Sequence, residues 1–347
     1  MQGRTKLMDL RSRRVVLLGG AGFIGHNLAL RLQAAGAEVS VIDSLGVNNI
    51  LAFQSTFDHN PNRELYLDII QQRLQLMRDA GIHLYVQDAR DYHALSKLMA
   101  KLQPQSIVHL AAVAHAGRSN KDPYTTFDHS LRTLENALDC NRDYRAHFVY
   151  FSSSMVYGNF RGASVSEDAR CEPLGIYGAL KYSGEKIVIA YNQVFDLPYT
   201  IIRPSALYGE RCVSRRVGQI FIENALRGES ITVQGDGSDR LDFTYVQDLC
   251  HGLERVLTHG GAINETFNLT YGESRSVAEM IKILEEEFPG VRVNFEPRDR
   301  LMPKRGTLDV SKARELINYQ PSWPLERGFR RYIEWYRSSA DVEAVTS

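Results

Sequence analysis

The stretch VVLLGGAGFIGHNL, Val15 to Leu28, limits the fold more than any other part of the chain. An unbroken apolar run ends in glycines, and an amphipathic run follows them. Gly19, Gly22 and Gly25 recur at every third position across the junction. A buried strand, a tight turn and a helix satisfy that pattern. The first glycine permits the turn, the second lets backbone approach a bulky anion, and the third lets the helix pack close to the strand. The helix N-terminus then presents unpaired N–H groups to a phosphate. Eighteen residues after Gly25, the run EVSVID ends in Asp43. A carboxylate there accepts hydrogen bonds from a ribose and repels an extra phosphate, so NAD is expected rather than NADP.

Short β-branched runs continue to alternate with helical patterns. IHLYVQ, SIVHLAA, HFVYFSSS and YTIIRPSALYG follow, the last ending at Gly209. Continuous apolar runs are the mark of parallel strands buried on both faces. The expected fold class is therefore α/β, a Rossmann-type doubly wound parallel sheet. After Gly209 the rhythm changes to longer helical stretches at 217–226, 277–288 and 325–337, mixed with the short strands ETFNLT and VRVNFEP. This predicts a smaller α+β substrate-binding lobe. The expected boundaries are a loose basic tail over 1–13, the dinucleotide-binding domain over 14–209, the second lobe over 210–338 and a loose tail over 339–347. The chain is expected to return to the first domain around 240–270.

Composition narrows the function. Lys plus Arg and Asp plus Glu each number 41, so no net cationic field draws in nucleic acid or anionic membrane. Cys140, Cys171, Cys212 and Cys250 are scattered without CxxC spacing, which suggests neither a zinc site nor a disulfide framework. No apolar run is long enough to span a bilayer. Arg11, Arg13 and Arg14 interrupt any signal-like stretch, so a cytoplasmic location is expected.

Several ordered motifs carry a resemblance. They are GGAGFIG, Asp88 in VQDARD, HLAA, FSSSMVYG, YGALK, RPSALYG, GDGSDRLDFTYVQD, FNLTYGES and LDVSKA. Together they span about Val15 to Tyr336. The chain resembles the extended short-chain dehydrogenases/reductases, in the branch of nucleotide-sugar epimerases and dehydratases. The resemblance implies a cofactor site of Gly19, Gly22, Phe23, Ile24, Gly25, Asp43, Asp88, Ala89, Ala111, Ala112, Tyr177, Lys181 and Pro204. Asp88 would meet the adenine, and Ala111 and Ala112 would line the path of the phosphate and ribose.

Tyr177 and Lys181 lie four apart, on one face of a helix. A lysine ammonium and an oxidised nicotinamide both favour a phenolate, so the Tyr177 hydroxyl is expected to titrate low. Such a phenolate removes a sugar hydroxyl proton while the carbon beneath passes hydride to NAD. Ser153 would share that proton, completing a Ser–Tyr–Lys site. Tyr182 and Lys186 repeat the spacing but sit about 140° around the helix, so both pairs cannot face one cofactor. The family pattern YGxSKxxxE fits Tyr177, Gly178, Lys181 and Glu185 and not the second pair. Tyr182 is therefore assigned to packing or a subunit contact.

The resemblance also separates the chemistries. Dehydratase relatives carry an Asp–Glu pair after the Ser/Thr position, where this chain has Ser154 and Met155. A thioether moves no proton, which disfavours loss of water. The reading is a 4-epimerase of a nucleotide-diphosphate sugar, most simply a UDP-hexose or UDP-uronate. The alternatives are a reductase or oxidase of such a sugar, a dehydratase of the same family, and a non-catalytic dinucleotide sensor. Ala206 stands where the family has Asn in RPxNxYG, and Leu241 where it has Arg in RDFxYVxD. Arg240, Arg298 or Arg300 would then supply the charge that grips the diphosphate. Ser119, Ser154 and Met155 are further substrate-site candidates, with His115 and Arg118 near the sugar pocket. No metal is expected. Homodimerisation is expected through the segments 125–140 and 178–195.

Overall fold

A computed structural model describes residues 9–54, 60–113 and 116–338, without the side chains of Ala116 and Arg118. His115 and the expected tail over 339–347 lie outside the described residues. The order of the main elements is β1 (Arg14–Leu18), α1 (Phe23–Ala34), β2 (Glu38–Asp43), α2 (Arg63–Asp79), β3 (His83–Val86), β4 (Ser106–His109), β5 (His147–Phe151), α3 (Gly175–Phe195), β6 (Tyr199–Arg203), α4 (Val217–Leu226), α5 (Val246–Thr258), β7 (Glu265–Asn268), α6 (Val277–Glu287) and α7 (Leu325–Ser338). The seven strands form one parallel sheet in the order β7-β6-β5-β4-β1-β2-β3. The order reverses between β1 and β4, and a crevice opens there beyond the carboxyl ends of the strands.

The apolar runs are continuous because each strand is covered twice. Val15, Leu17, Val39, Val41, Val149 and Ile202 face one core. Their neighbours Val16, Leu18, Ile42, Phe148, Tyr150 and Ile201 face another. This two-residue period, with apolar residues on both sides, is what a sheet between helical layers requires.

The chain does re-enter the sheet late. The strand ETFNLT supplies β7, which pairs with β6 from Glu265↔Thr200 to Asn268↔Arg203. Helix α5 packs on α1. Order also begins earlier than the expected tail allows: Leu10 is buried in the first core, and Arg13 donates to the carbonyl of Leu257 at 2.7 Å. The Arg13 contact reaches α5.

Polar groups buried between helices join α2, α4 and α7. The Glu223 carboxylate, on α4, accepts from Tyr66 Oη (2.7 Å) on α2, Asn62 Nδ2 (2.6 Å), Gln219 Nε2 (2.8 Å) and Tyr336 Oη (2.7 Å) on α7. Four donors satisfy both oxygens, which is what keeps such a group tolerable in a core. Arg73 of α2 is likewise fully buried and donates to the Arg211 carbonyl at 2.8 Å.

Candidate active site

The glycine turn forms as its pattern predicts. Gly19 adopts φ +77°, and a Cβ there would lie 2.7 Å from the Ala111 nitrogen. At Gly25 a Cβ would sit 2.4 Å from the Gly20 carbonyl oxygen, so the third glycine lets α1 press onto the turn. Gly22 is the N-cap of α1, with no side-chain cap, and the first turn of the helix carries no acid. Its N-terminus therefore keeps its partial positive charge for an anion.

A cleft of about 880 Å³, measured out to where it opens to solvent, lies above this turn. Its lining includes Gly19, Gly22, Phe23, Ile24, Gly25, Asp43, Asp88, Ala89, Ala111 and Ala112. The Asp43 carboxylate accepts from the backbone of Ala21 (2.9 Å) and Leu45 (2.7 Å), which aims it along the wall. Burial raises its pKa, opposed by those two N–H groups and by Arg73. Asp88 is paired with Arg90 at 2.6 Å, and Arg90 also reaches Asp128 at 2.6 Å. The remaining candidates, Tyr177, Lys181 and Pro204, are not among the residues that line this cleft. A glycine backbone at a helix N-terminus and a carboxylate on the second strand, both lining one cleft, fit a dinucleotide.

Three catalytic candidates converge where β5 ends. Ser153 follows β5 and caps a short helix, accepting from the Met155 nitrogen at 3.2 Å. Tyr177, half-buried on α3, is hydrogen-bonded to Ser153. Lys181 is buried one turn further on, its Nζ 2.7 Å from the Phe151 carbonyl and 5.3 Å from the Tyr150 ring centre. Burial raises the Tyr177 pKa; the opposing influences are the charge of Arg216 and then the Ser153 hydroxyl. Lys181 is held down to about 8 by burial, against the charge of Glu185. Its ammonium is engaged by a carbonyl.

The second tyrosine–lysine pair points elsewhere. Tyr182 packs against the small cluster of Val156, Tyr157, Val165 and Leu308, with Lys186 4.9 Å from its ring centre. Ser154 and Met155 are buried beside Ser153, and the Ser154 nitrogen donates to the Pro204 carbonyl at 2.9 Å. Ser119 is fully buried in the short helix Ala116–Lys121.

The arginines separate. Arg240 is exposed and spent on Ser274 (3.1 Å) and Glu279 (3.4 Å). Arg300 is exposed as well. Arg298 is half-buried and bridges to Asp239 at 2.8 Å. Two arginines that sequence reasoning passed over stand nearer the chemistry. Arg216, the N-cap of α4, lines the cleft with Ser214. Arg305 has its pKa lowered to about 10, by burial first, then by Arg216, with Asp239 opposing and Arg298 adding to the repulsion. Its buried Nε donates to no acceptor among the described residues. Guanidiniums crowded in this way make a ready anion site. The signal available in the sequence was the run SRRVG before a helix, which gives no hint of what it faces.

The model of the NAD-dependent epimerase/dehydratase family matches residues 15–270. An uncharacterized UDP-glucose epimerase of Bacillus subtilis, YtcB, is 32% identical over 67% of this chain and 74% of its own. A putative UDP-glucose 4-epimerase of Methanocaldococcus jannaschii is 29% identical over 94% of this chain and 99% of its own. Among solved structures, the UDP-glucuronic acid 4-epimerase of Bacillus cereus, in complex with UDP-glucuronic acid and NAD, superposes with a TM-score of 0.82 at 26% identity. It covers 93% of this chain and 98% of that one. With the glycine turn, the acid of the second strand and the parallel sheet, these matches place the chain in the NAD-dependent epimerase/dehydratase family, with NAD as its cofactor.

Proposed function

We propose that this enzyme is a 4-epimerase of a nucleotide-diphosphate sugar, most simply a UDP-hexose or UDP-uronate. NAD bound in the cleft supplies transient oxidation and re-reduction at C4 of the sugar. Tyr177 takes the C4 hydroxyl proton and gives it back, Ser153 orients that proton, and Lys181 contributes positive charge to the cofactor side of the site. Arg216 and Arg305 hold the diphosphate firmly while the sugar turns about its own bonds. Arg298, braced by Asp239, adds charge at the edge.

The observation that carries the reading is the surroundings of Ser153. The two following side chains, Ser154 and Met155, are buried and offer no carboxyl group for expelling water. The reductase and dehydratase alternatives both leave a mass or redox signature. Incubation with UDP-, GDP-, CDP- and dTDP-sugars, followed by NMR of the C4 proton, tests all three. Inversion without net redox is expected; loss of water or stoichiometric consumption of cofactor overturns the reading.

A homodimer goes with the proposal. Phe127 and Val194 stand exposed in the segments 125–140 and 178–195, the two expected to pair. A monomer by light scattering at micromolar concentration overturns it. No helix among the described residues is long and apolar enough to cross a membrane, and a cytoplasmic site of action is part of the same reading.

A further inference from the structure

Three residues of α3 at successive turns, Tyr177, Lys181 and Glu185, meet three consecutive residues at the exit of β5. Tyr177 bonds Ser153, Lys181 donates to the Phe151 carbonyl, and Glu185 accepts from the Ser152 hydroxyl. The middle member of the strand exit is thus held by the last member of the helix row. Glu185 is 2% exposed and is itself fixed from a third element. Arg203, at the end of β6, donates to it through Nε (2.9 Å) and Nη2 (2.7 Å). Two parallel bonds between a guanidinium and a carboxylate define position more sharply than a single contact. Arg203 is held in turn by the Tyr157 hydroxyl and the Glu167 carbonyl, each at 3.0 Å.

We propose that Glu185 is a positioning residue for the Tyr177–Lys181 pair. By gripping Ser152 it sets the neighbouring Phe151 carbonyl and Ser153 hydroxyl, and it places a carboxylate one helical turn from Lys181. The inference rests on the reading that Tyr177 and Lys181 serve the proton chemistry and the cofactor.

The other charged and titratable groups around Lys181 do not replace that carboxylate. Tyr177 shares its helix, and the Tyr150 ring lies beneath it on β5. His109, on β4, is kept neutral at about 3 by burial and then by Lys181 itself. Arg203 is positive. An opposite charge nearby favours the ammonium form of a lysine, so Glu185 works against the burial that brings Lys181 to about 8.

Two variants test this, Glu185→Gln and the pair Glu185→Gln with Arg203→Met. The first keeps the shape and loses the charge; the second also removes the cation left behind, in case the single change does not fold. The readouts are NADH affinity by fluorescence across neutral to alkaline pH, and the alkaline limb of turnover. The wild-type midpoint is expected near 8; Glu185→Gln should move it down by about one pH unit, and the double variant, which loses a cation as well, by less. Loosened packing alone would lower affinity at every pH without moving the midpoint. A wild-type midpoint in both variants, or flat wild-type affinity, overturns the role of Glu185. The binding readout is independent of turnover: a shifted midpoint in a protein that inverts no sugar would discard the epimerase reading and keep this one.

Discussion

Tyr177 and Tyr182 share a helix, a spacing to lysine and a chemistry, and differ only in what they face. Tyr177 meets Ser153 and the charge of Arg216, while Tyr182 fills an apolar cluster with Val165 and Leu308. Tyr177→Phe should therefore lower turnover by about a thousandfold and leave NAD binding near wild type, whereas Tyr182→Phe changes turnover little. Equal losses would mean that the wrong pair has been chosen. Arg305 makes a different forecast, because it touches no reacting atom. Arg305→Met should raise KM by about tenfold to a hundredfold, the worth of a lost charged hydrogen bond, with kcat nearly unchanged. Ala206 adopts φ +38°, in the left-handed region where Asn is more at ease than Ala. Restoring the family's residue by Ala206→Asn should raise stability by about 0.5 kcal/mol in chemical denaturation.

Among elements, the contact that joins α2, α4 and α7 converges on one carboxylate. Glu223 gathers donors from α2, α7 and its own helix, so Glu223→Leu strands two hydroxyls and two amides in the core. A loss of about 3 kcal/mol in unfolding free energy is expected, and Glu223→Gln should lose less because it keeps one acceptor. This scale also shows what the sequence could reveal. The strands were legible because a buried parallel strand must be apolar on both faces, and α4 spans 217–226 as its pattern predicts. The lining of the cleft was legible because its residues are neighbours in sequence or end successive strands. Arg216 and Arg305 were not. They lie far apart in the chain and meet only through packing of the second lobe, and nothing local distinguishes them from Arg240 or Arg300, which face outward. The clamp at Glu185 was half legible: YGxSKxxxE placed it on the catalytic face, but its grip on Ser152 and Arg203 needed three dimensions.

For the molecule as a whole, two histidines buried in the sheet set a limit in acid. His109 and His147 are both held at about 3, chiefly by burial, against an ordinary value of 6.5. A histidine whose folded pKa is depressed stabilises the fold above its unfolded value, and that contribution is lost as pH falls toward the folded one. Melting temperature should therefore drop as pH goes from 6.5 toward 3, and His147→Gln should flatten part of that slope. A slope unchanged in the variant would assign the acid sensitivity to other groups. The late return of the chain to form β7 has its own consequence for anyone dissecting this enzyme. A fragment cut at Gly209 would bare the hydrogen-bonding edge of β6 and strip α1 of its partner helix, inviting aggregation. Residues 14–209 are thus not a separable module, and gene fusions or split-protein designs must keep the segment that joins β6 to β7.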